Sequence, residues 1–254
     1  LFFSGSTAGF AGGSGTSNDP YQIETCQQLQ NMSGDLDANY ELVSDIDCSD
    51  TENWNSGKGF DPVGGEFDGV FDGNYHTVTD LFINRSGFSG LFRKTYYNAI
   101  IENVSVTKAE VITDSNGAAI LVANNFGDVE NSYVTGRVVG MQGTAGLVGS
   151  NYGALKNSFS RANVSSSDIN LGGLVGSNGV EIESLYSTGV VGGSSSRKGG
   201  LVGLEQGTTK NSYWDINTSN ITTSASGNGL TTSEMKNKSN FEGFDFEDTW
   251  VIDP

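Results

Sequence analysis

The sequence is poor in the side chains that carry most enzyme chemistry. Its 254 residues include one histidine, His76, and two cysteines, Cys26 and Cys48. A single histidine excludes zinc sites built on several histidines, and a bonded pair of cysteines would leave no thiolate nucleophile. His76 lies in the turn-rich segment 72–77, where a structural role is expected. These absences predict that the chain is not an enzyme.

Basic residues and long apolar runs are scarce as well. Lysine and arginine total 13 against 30 acidic residues, which gives a net charge of −17. An acidic surface disfavours nucleic acid and anionic membranes as partners. No apolar run approaches the roughly 18 residues of a spanning helix, so no membrane span is predicted. The segment Leu1-Phe2-Phe3-Ser4-Gly5 lacks Met and a basic region, and we interpret it as the start of a processed, secreted chain.

Glycine is abundant, with 36 residues, whereas proline occurs only three times. Gly and Asn supply the positive-φ backbone of tight turns, so this composition favours many short strands joined by turns. The 14 Phe and 9 Tyr residues, most of them at regular places, indicate a packed core rather than a disordered linker.

A repeat organises the second half of the chain. Each copy has a Gly-Leu-Val-Gly-like core followed by an aromatic residue. The leucines are Leu121, Leu147, Leu174 and Leu201, and the aromatic residues are Tyr133, Phe159, Tyr186 and Tyr213. Both markers recur at intervals of 26, 27 and 27 residues, and a degenerate earlier copy begins at Gly90-Leu91-Phe92. Two markers in one register indicate a repeat architecture.

Each copy is predicted to form one coil of a solenoid. In a strand, alternate side chains face the same side, so the leucines and tyrosines are expected to point inward and the Glu, Lys and Thr side chains outward. One coil cannot bury its apolar face alone, but stacked coils align like residues in columns. We predict an all-β fold, a parallel β-helix (β-solenoid) of about 27-residue coils with short helical caps at both ends.

The repeats resemble the GLUG repeat of secreted and surface proteins of bacteria and archaea. The match rests on Gly173-Leu174-Val175-Gly176-Ser177-Asn178 and on Asn211-Ser212-Tyr213-Trp214-Asp215. The resemblance implies a parallel β-helix-like solenoid with a role in adhesion or surface architecture. Some immunoglobulin A peptidases carry such repeats beside a zinc peptidase domain, which this sequence does not contain. The fourth repeat has Leu204-Glu205 where Ser-Asn recurs in other repeats, so the coil is expected to change shape there.

We divide the chain into four parts. These are an extended N-terminal arm (1–14), an N-terminal cap with the first coils (15–90), the repeat coils (91–215) and a C-terminal cap (216–254). Caps are expected because an open terminal coil exposes strand edges and core.

The N-terminal cap is predicted to contain a short helix over residues 24–33. Cys26, Leu29 and Met32 fall on one face of that helix. Cys26 is predicted to pair with Cys48, and two buried free thiols are the alternative. Closing this loop would stabilise the cap by roughly 3 kcal/mol.

The C-terminal cap is predicted to contain a second short helix over residues 231–238, with Thr232 or Ser233 as the N-cap. An aromatic cluster follows it and is expected to cover the last coil. Its members are Phe241, Phe244, Phe246 and Trp250.

Candidate binding residues are few. Asp45, Asp47 and Asp50 are weak calcium candidates because their carboxylates suit Ca²⁺, with solvated loop acids as the alternative. No other cofactor is predicted. Asn-x-Ser/Thr sequons become N-glycosylation candidates if the chain passes through a glycosylating export system. They lie at Asn31, Asn84, Asn103, Asn163, Asn217, Asn220 and Asn237.

The leading functional prediction is an extracellular structural or adhesive cell-surface protein. Its N-terminal arm, with Leu1, Phe2 and Phe3, is hypothesised to add as a strand to a neighbouring copy and build a filament, with a disordered terminus as the alternative. Surface glycans and host or cell-surface molecules are the other expected partners. The alternatives are a carbohydrate-binding module, with Tyr152 and Trp214 as its outer aromatics, and a β-helix polysaccharide-active enzyme.

Overall fold

Each repeat folds into one coil of a parallel β-solenoid in the computed structural model, which describes residues 9–252. The solenoid has about six turns, with coils of about 27 residues. Strands pair in parallel with the equivalent strands of adjacent coils. The predicted fold class, an all-β parallel β-helix with short helical caps, is therefore confirmed.

The walls of the solenoid are four sheets. The eight-stranded sheet contains Tyr21–Ile23, Tyr40–Leu42, Val70–Asp72, Ile100–Glu102, Asp128–Glu130, Leu155–Lys156, Glu181–Glu183 and Thr208–Lys210. The five-stranded sheet contains Phe92–Lys94, Val122–Asn125, Val148–Asn151, Val175–Asn178 and Val202–Glu205. The 11-stranded sheet contains Ile46–Asp47, Thr77–Thr79, Phe82–Asn84, Ser105–Ile112, Tyr133–Gly140, Phe159–Ser160, Asn163–Ser166, Tyr186–Ser187, Val191–Gly193, Tyr213–Asp215 and Asn228–Leu230. The three-stranded sheet contains Thr144–Ala145, Leu171–Gly172 and Lys198–Gly199.

The core runs along the solenoid axis as columns of repeated residues. The four repeat leucines are fully buried, and each precedes a fully buried valine. Those valines pair in register from coil to coil and are Val122, Val148, Val175 and Val202. Two consecutive buried side chains mark a corner of the coil, because a straight strand would turn one of them to solvent. Each buried Leu or Val contributes about 1.5–3 kcal/mol, so every added coil stabilises its neighbours.

Glycine permits the close approach of adjacent coils at one corner. Gly153 lies directly against the backbone of the preceding coil at Gly127. A methyl group on Gly153 would overlap the Gly127 carbonyl oxygen. The coils can therefore stack here only if position 153 has no side chain.

A ladder of buried amides crosses the coils inside the same corner; we name Asn125, Asn151 and Asn178 the amide ladder. Asn125 Nδ2 donates to Asn151 Oδ1 at 2.8 Å, and Asn151 Nδ2 donates to Asn178 Oδ1 at 3.0 Å. Each amide also donates to a carbonyl two residues further on, as Asn151 does to Gly153 at 2.9 Å. Because these side chains are at most 1% exposed, the hydrogen bonds replace water and hold the corner of each coil.

The ladder ends in charged and hydroxyl groups rather than in open amides. Thr95 Oγ1 donates to Asn125 Oδ1 at 2.6 Å at one end, and Asn178 Nδ2 donates to Glu205 Oε1 at 2.7 Å at the other. Glu205 also accepts from Thr209 and Ser226. The expected change of coil shape at Leu204-Glu205 is wrong, because Glu205 keeps the register of Asn178 and serves as the terminal acceptor.

The N-terminal cap contains the predicted helix. The α-helix spans Cys26–Asn31 and continues into a 3-10 turn at Met32–Gly34. Thr25 and Gln28 form a capping box at its start, in which each side chain accepts from the backbone of the other residue. Cys26 and Cys48 are joined by a disulfide with an S–S distance of 2.03 Å. Residues Ser49–Gly57 follow the disulfide as 3-10 turns that are interrupted by a kink at Trp54, Asn55 and Ser56.

The C-terminal cap differs from its prediction. Residues 231–238 do not form one helix but two 3-10 turns, Glu234–Lys236 and Lys238–Asn240. The side chain of Ser233 makes no capping bond, whereas Thr231 Oγ1 accepts from the Glu234 backbone N–H at 3.3 Å. Residues 231–238 have too few apolar side chains to form the buried face of a helix. Neither 3-10 turn contains a buried residue.

Candidate functional site

An aromatic column on the outside of the solenoid is the most distinctive surface feature. Tyr133, Phe159 and Tyr186 occupy equivalent positions in the 11-stranded sheet. The ring centroids are 4.7 Å apart for Tyr133 and Phe159 and 4.6 Å for Phe159 and Tyr186, with interplanar angles of 1° and 6°. We name these three rings the outer aromatic column.

The column faces outward, contrary to the sequence prediction that the repeat aromatics point inward. The next residues along the strands, Val134 and Ser160, are buried, while Tyr133 and Phe159 are half-buried. A left-handed residue two positions before each aromatic sets this phase: Asn131 has φ 47°, Asn157 has φ 46° and Ser184 has φ 56°. The inward positions are therefore taken by the residues that follow the aromatics.

The C-terminal tail folds back over one end of this column. The Trp250 ring lies 5.5 Å from that of Tyr186 and 6.1 Å from that of Phe159. Phe244 lies 4.7 Å from Trp250 and 5.7 Å from Tyr213. The predicted aromatic cluster therefore exists, but these two members pack on the outer face of the last coils as well as on each other.

The tail and the column enclose an open groove of about 500 Å³, which we name the aromatic groove. Its lining includes Tyr75, Thr77, Asn103, Ser105, Asn131, Tyr133, Asn157, Arg161, Asp248 and Trp250. The volume is within the range of small-ligand sites.

The column stops at Tyr133, and small residues continue its line. Ser105 pairs with Tyr133, and Thr77 pairs with Ser105, one coil further toward the N-terminus. No aromatic ring in residues 9–252 packs on the face of Tyr133 that points to Ser105. The groove therefore has a flat aromatic end wall next to two positions without bulky side chains.

A second line of side chains borders the groove with amides. Asn103, Asn131 and Asn157 hold left-handed backbone, with φ of 55°, 47° and 46°. Asparagine tolerates this conformation better than most residues. Asn131 Nδ2 donates to Asn103 Oδ1 at 3.3 Å, and Asn103 Nδ2 donates to Asp72 Oδ1 at 3.1 Å. The amide of Asn157 has no such bond in the described part of the chain.

Arg161 is the cation of the groove. Its guanidinium lies 5.2 Å from the centre of the Phe159 ring and donates to the Tyr186 hydroxyl at 3.3 Å. Burial raises the pKa of Tyr186, and the charge of Arg161 opposes that shift. The Tyr186 phenol therefore stays neutral at physiological pH.

A second aromatic stack lies at another corner and includes one predicted carbohydrate-binding residue. Phe126 and Tyr152 stack with centroids 5.0 Å apart, and Tyr97 meets Phe126 at 5.5 Å. Tyr152 is 46% exposed, as a surface role requires. The other predicted residue, Trp214, is only 6% exposed and donates to the Ile221 carbonyl at 3.2 Å. Trp214 is therefore a packing residue.

The calcium candidates are not brought together. Asp45 accepts from the Thr77 backbone N–H at 2.9 Å and contacts His76 Nδ1 at 3.3 Å, and these contacts lower the pKa of Asp45. Asp47 accepts from the Ser49 N–H at 2.8 Å, which lowers its pKa too. Asp50 lies in the 3-10 segment after the disulfide, and residues 9–252 contain no group of three suitable metal ligands.

The sequons differ in accessibility. Asn84, Asn163, Asn217, Asn220 and Asn237 are exposed, whereas Asn31 and Asn103 are half-buried. The Asn103 side chain is further engaged with Asp72 and Asn131. Glycosylation stays a prediction, and Asn103 is the least suitable acceptor because it lines the groove.

The assembly candidates Leu1, Phe2 and Phe3 lie outside the described residues. Residues 9–14, predicted as part of an extended arm, instead pack on the cap. Gly12 bridges Gln22, and the Phe10 ring stacks on Tyr21 at 4.6 Å. Phe10 is half-buried in this contact, so residues 9–14 belong to the cap. No helix of the described chain is long and apolar enough to cross a membrane.

Comparison with known proteins gives two partial sequence relatives. Halomucin of Haloquadratum walsbyi is 37% identical over 139 residues, which is 50% of this chain and 2% of halomucin. A candidate Gly-rich membrane protein of Evansella cellulosilytica is 35% identical over 131 residues, 48% of this chain and 15% of that protein. The chain thus spans only a small part of the curated relatives it matches. No family model matches it, so the GLUG resemblance stays a prediction.

The fold has a solved counterpart. The crystal structure of a candidate immunoglobulin A1 protease from Bacteroides ovatus superposes with a TM-score of 0.71, covering 89% of this chain and 88% of that one. The identity is 21%, so the likeness establishes the fold alone. The sequence prediction that the chain is not an enzyme is nevertheless withdrawn, because the solved protein of this fold is described as a candidate protease; the likeness assigns no activity to this chain.

Proposed function

We propose that the chain is a structural domain of an extracellular cell-surface protein of the GLUG-repeat type. The observation that carries the proposal is a disulfide-bonded, acidic solenoid, with Cys26 bonded to Cys48 and a net charge of −17. Disulfides persist outside the reducing cytoplasm. Halomucin and a Gly-rich membrane protein carry names that fit the cell surface, and both match about half of the chain.

The sheet surface suits a hydrated, exposed environment. Glu41, Asp72, Glu102 and Glu130 occupy successive positions of the eight-stranded sheet. Burial raises the pKa of Glu102, and the neighbouring charges of Asp72 and Glu130 raise it further. Such a line of like charges needs water around it. It therefore favours a face that is not covered by an apolar partner.

Surface labelling tests the proposal. An antibody fragment raised against the folded domain should stain intact source cells as strongly as permeabilised cells, while a cytoplasmic marker stains only permeabilised cells. Staining that requires permeabilisation would refute an extracellular location.

Self-association is a second candidate, and one feature of the fold favours it. The eight-stranded sheet ends at Thr208–Lys210, beyond which no further strand of the described chain pairs. A free edge can accept a strand from another copy. We propose residues 1–8 as the donor, since residues 9–14 belong to the cap.

Electron microscopy of the chain with and without residues 1–8 tests this assembly. Filaments that disappear on truncation are expected. Identical monomeric rods in both samples, or filaments that survive truncation, would dismiss the arm as the joint.

A further inference from the structure

We propose that the aromatic groove binds a neutral pyranose unit of a glycan, stacked on the open face of Tyr133. Binding of a sugar depends on the geometry of the groove and not on whether the protein is extracellular. This proposal assigns a chemical ligand to a site that the repeat pattern alone does not mark.

The outer aromatic column has a vacant position beside Tyr133. Rings in the column follow one another at 4.7 and 4.6 Å. The next position toward the N-terminus is occupied by Ser105, whose side chain is too small to cover Tyr133. A flat ring placed there would continue the stack at the same spacing, roughly the 4.8 Å separation of adjacent strands.

Hydroxyl and amide side chains surround the vacant position. A pyranose has an apolar face of C–H groups, which packs on the electron-rich face of an aromatic ring, and a rim of hydroxyls. Thr77 and Ser105 supply hydroxyls beside the vacant position, and Asn103, Asn131 and Asn157 supply amides along its border. An amide can donate to one sugar hydroxyl and accept from another. One apolar wall with amides beside it therefore matches a sugar better than an apolar ligand.

The charge of the chain bears on the kind of sugar. Arg161, the cation of the groove, is engaged with Phe159 and Tyr186. Asp248 also lines the groove, and the whole chain has a net charge of −17. The net negative charge repels an acidic sugar over long range and does not act on a neutral one. The balance favours a neutral sugar.

The fluorescence of Trp250 gives a direct readout, because this residue lines the groove. A glycan array that includes neutral and acidic glycans, followed by fluorescence and calorimetric titration of the best neutral glycan, would measure binding. We expect neutral glycans to bind and acidic analogues to bind at least about tenfold more weakly, a difference readily resolved by titration.

Two variants locate the site. Tyr133→Ala removes the stacking face and should weaken binding at least about tenfold. Ser105→Tyr fills the vacant position by extending the aromatic column and should abolish binding; because Ser105 is 8% exposed, circular dichroism first checks that this variant is folded. Tyr97→Ala is the matched control, because Tyr97 is a 66% exposed aromatic of the second stack and lies outside the groove.

Absence of binding to every neutral glycan on the array would overturn the proposal. So would binding that survives Ser105→Tyr in a folded protein, or binding lost on Tyr97→Ala instead. A proline-rich peptide that binds with the same dependence on Tyr133 and Ser105, where glycans do not, would assign the groove to a different ligand class. None of these outcomes bears on surface labelling, so the extracellular location and the glycan site fail separately.

Discussion

The amide ladder gives the sharpest stability prediction, at its central member Asn151. The Asn151 side chain accepts from Asn125 and donates to Asn178 and to the Gly153 carbonyl, at 2.8, 3.0 and 2.9 Å. It is fully buried. Asn151→Ala removes all three bonds and leaves their partners without water to replace them.

The expected loss follows from those partners. A buried polar group left without a hydrogen bond costs about 1–3 kcal/mol, and the variant leaves one donor and two acceptors in that state. Partial relaxation of the corner lowers the sum, so we expect Asn151→Ala to reduce the free energy of unfolding by about 3–6 kcal/mol. Ser150→Ala, in the same strand but half-buried, should change it by less than about 0.5 kcal/mol.

Chemical denaturation followed by far-ultraviolet circular dichroism measures both variants. A solenoid need not unfold in one step, so the transition of the central coils should be fitted separately from those of the caps. If Asn151→Ala lost no more stability than Ser150→Ala, the ladder would not hold the coils together as described.

Three further predictions concern the cap, the charged column and the coil corner. Reduction of the Cys26–Cys48 bond should lower the free energy of unfolding by about 3 kcal/mol, measured by denaturation with and without reductant; an unchanged midpoint would contradict it. The raised pKa of Glu102 means that its ionised form is disfavoured in the folded state. Ionised Glu102 therefore lowers the free energy of unfolding at pH values above its folded-state pKa. This loss disappears as the pH falls towards the pKa of Glu102 in the unfolded chain. Glu102→Gln should therefore raise the melting temperature at pH 7 and not at low pH, whereas Glu183→Gln, which breaks a 3.0 Å ion pair with Lys156, should not raise it. Gly153→Ala should prevent folding or cost several kcal/mol, and a stable, soluble variant would show that the coils are further apart.

Much of the fold could be predicted because the spacing of equivalent residues in the repeats shows how the coils align. Leu147 and Leu174 are 27 residues apart, and so are Phe159 and Tyr186. The two residues of each pair occupy equivalent positions in adjacent coils, as expected. The cap helix was predictable too, since Cys26, Leu29 and Met32 mark a single buried face.

The direction of the repeat aromatics could not be predicted from alternation. Strands of two or three residues are too short to show a period, and a left-handed residue between two strands shifts the phase. Asn157, with φ 46°, precedes Phe159 in this way and sends its ring outward. The recurrent Asn-Ser-aromatic order was the available signal for this turn.

The amide ladder was hidden for a related reason. Asn151 and Asn178 follow Gly-Ser and have the composition of a turn, but they are interior residues that bond to each other across coils. Only the hydrogen bonds between equivalent asparagines of adjacent coils distinguish an interior residue from a turn residue. The tail was equally hidden, because nothing in the repeats shows that Trp250 returns to the Tyr186 ring.

We propose that this solenoid functions outside the cytoplasm. The most direct measurement is the redox state of Cys26 and Cys48 in protein taken from native cells, trapped with an alkylating agent and analysed by mass spectrometry. An extracellular location predicts a disulfide-linked peptide pair with no alkylated thiol. Two alkylated cysteines in freshly trapped protein would contradict it and place the chain in a reducing compartment.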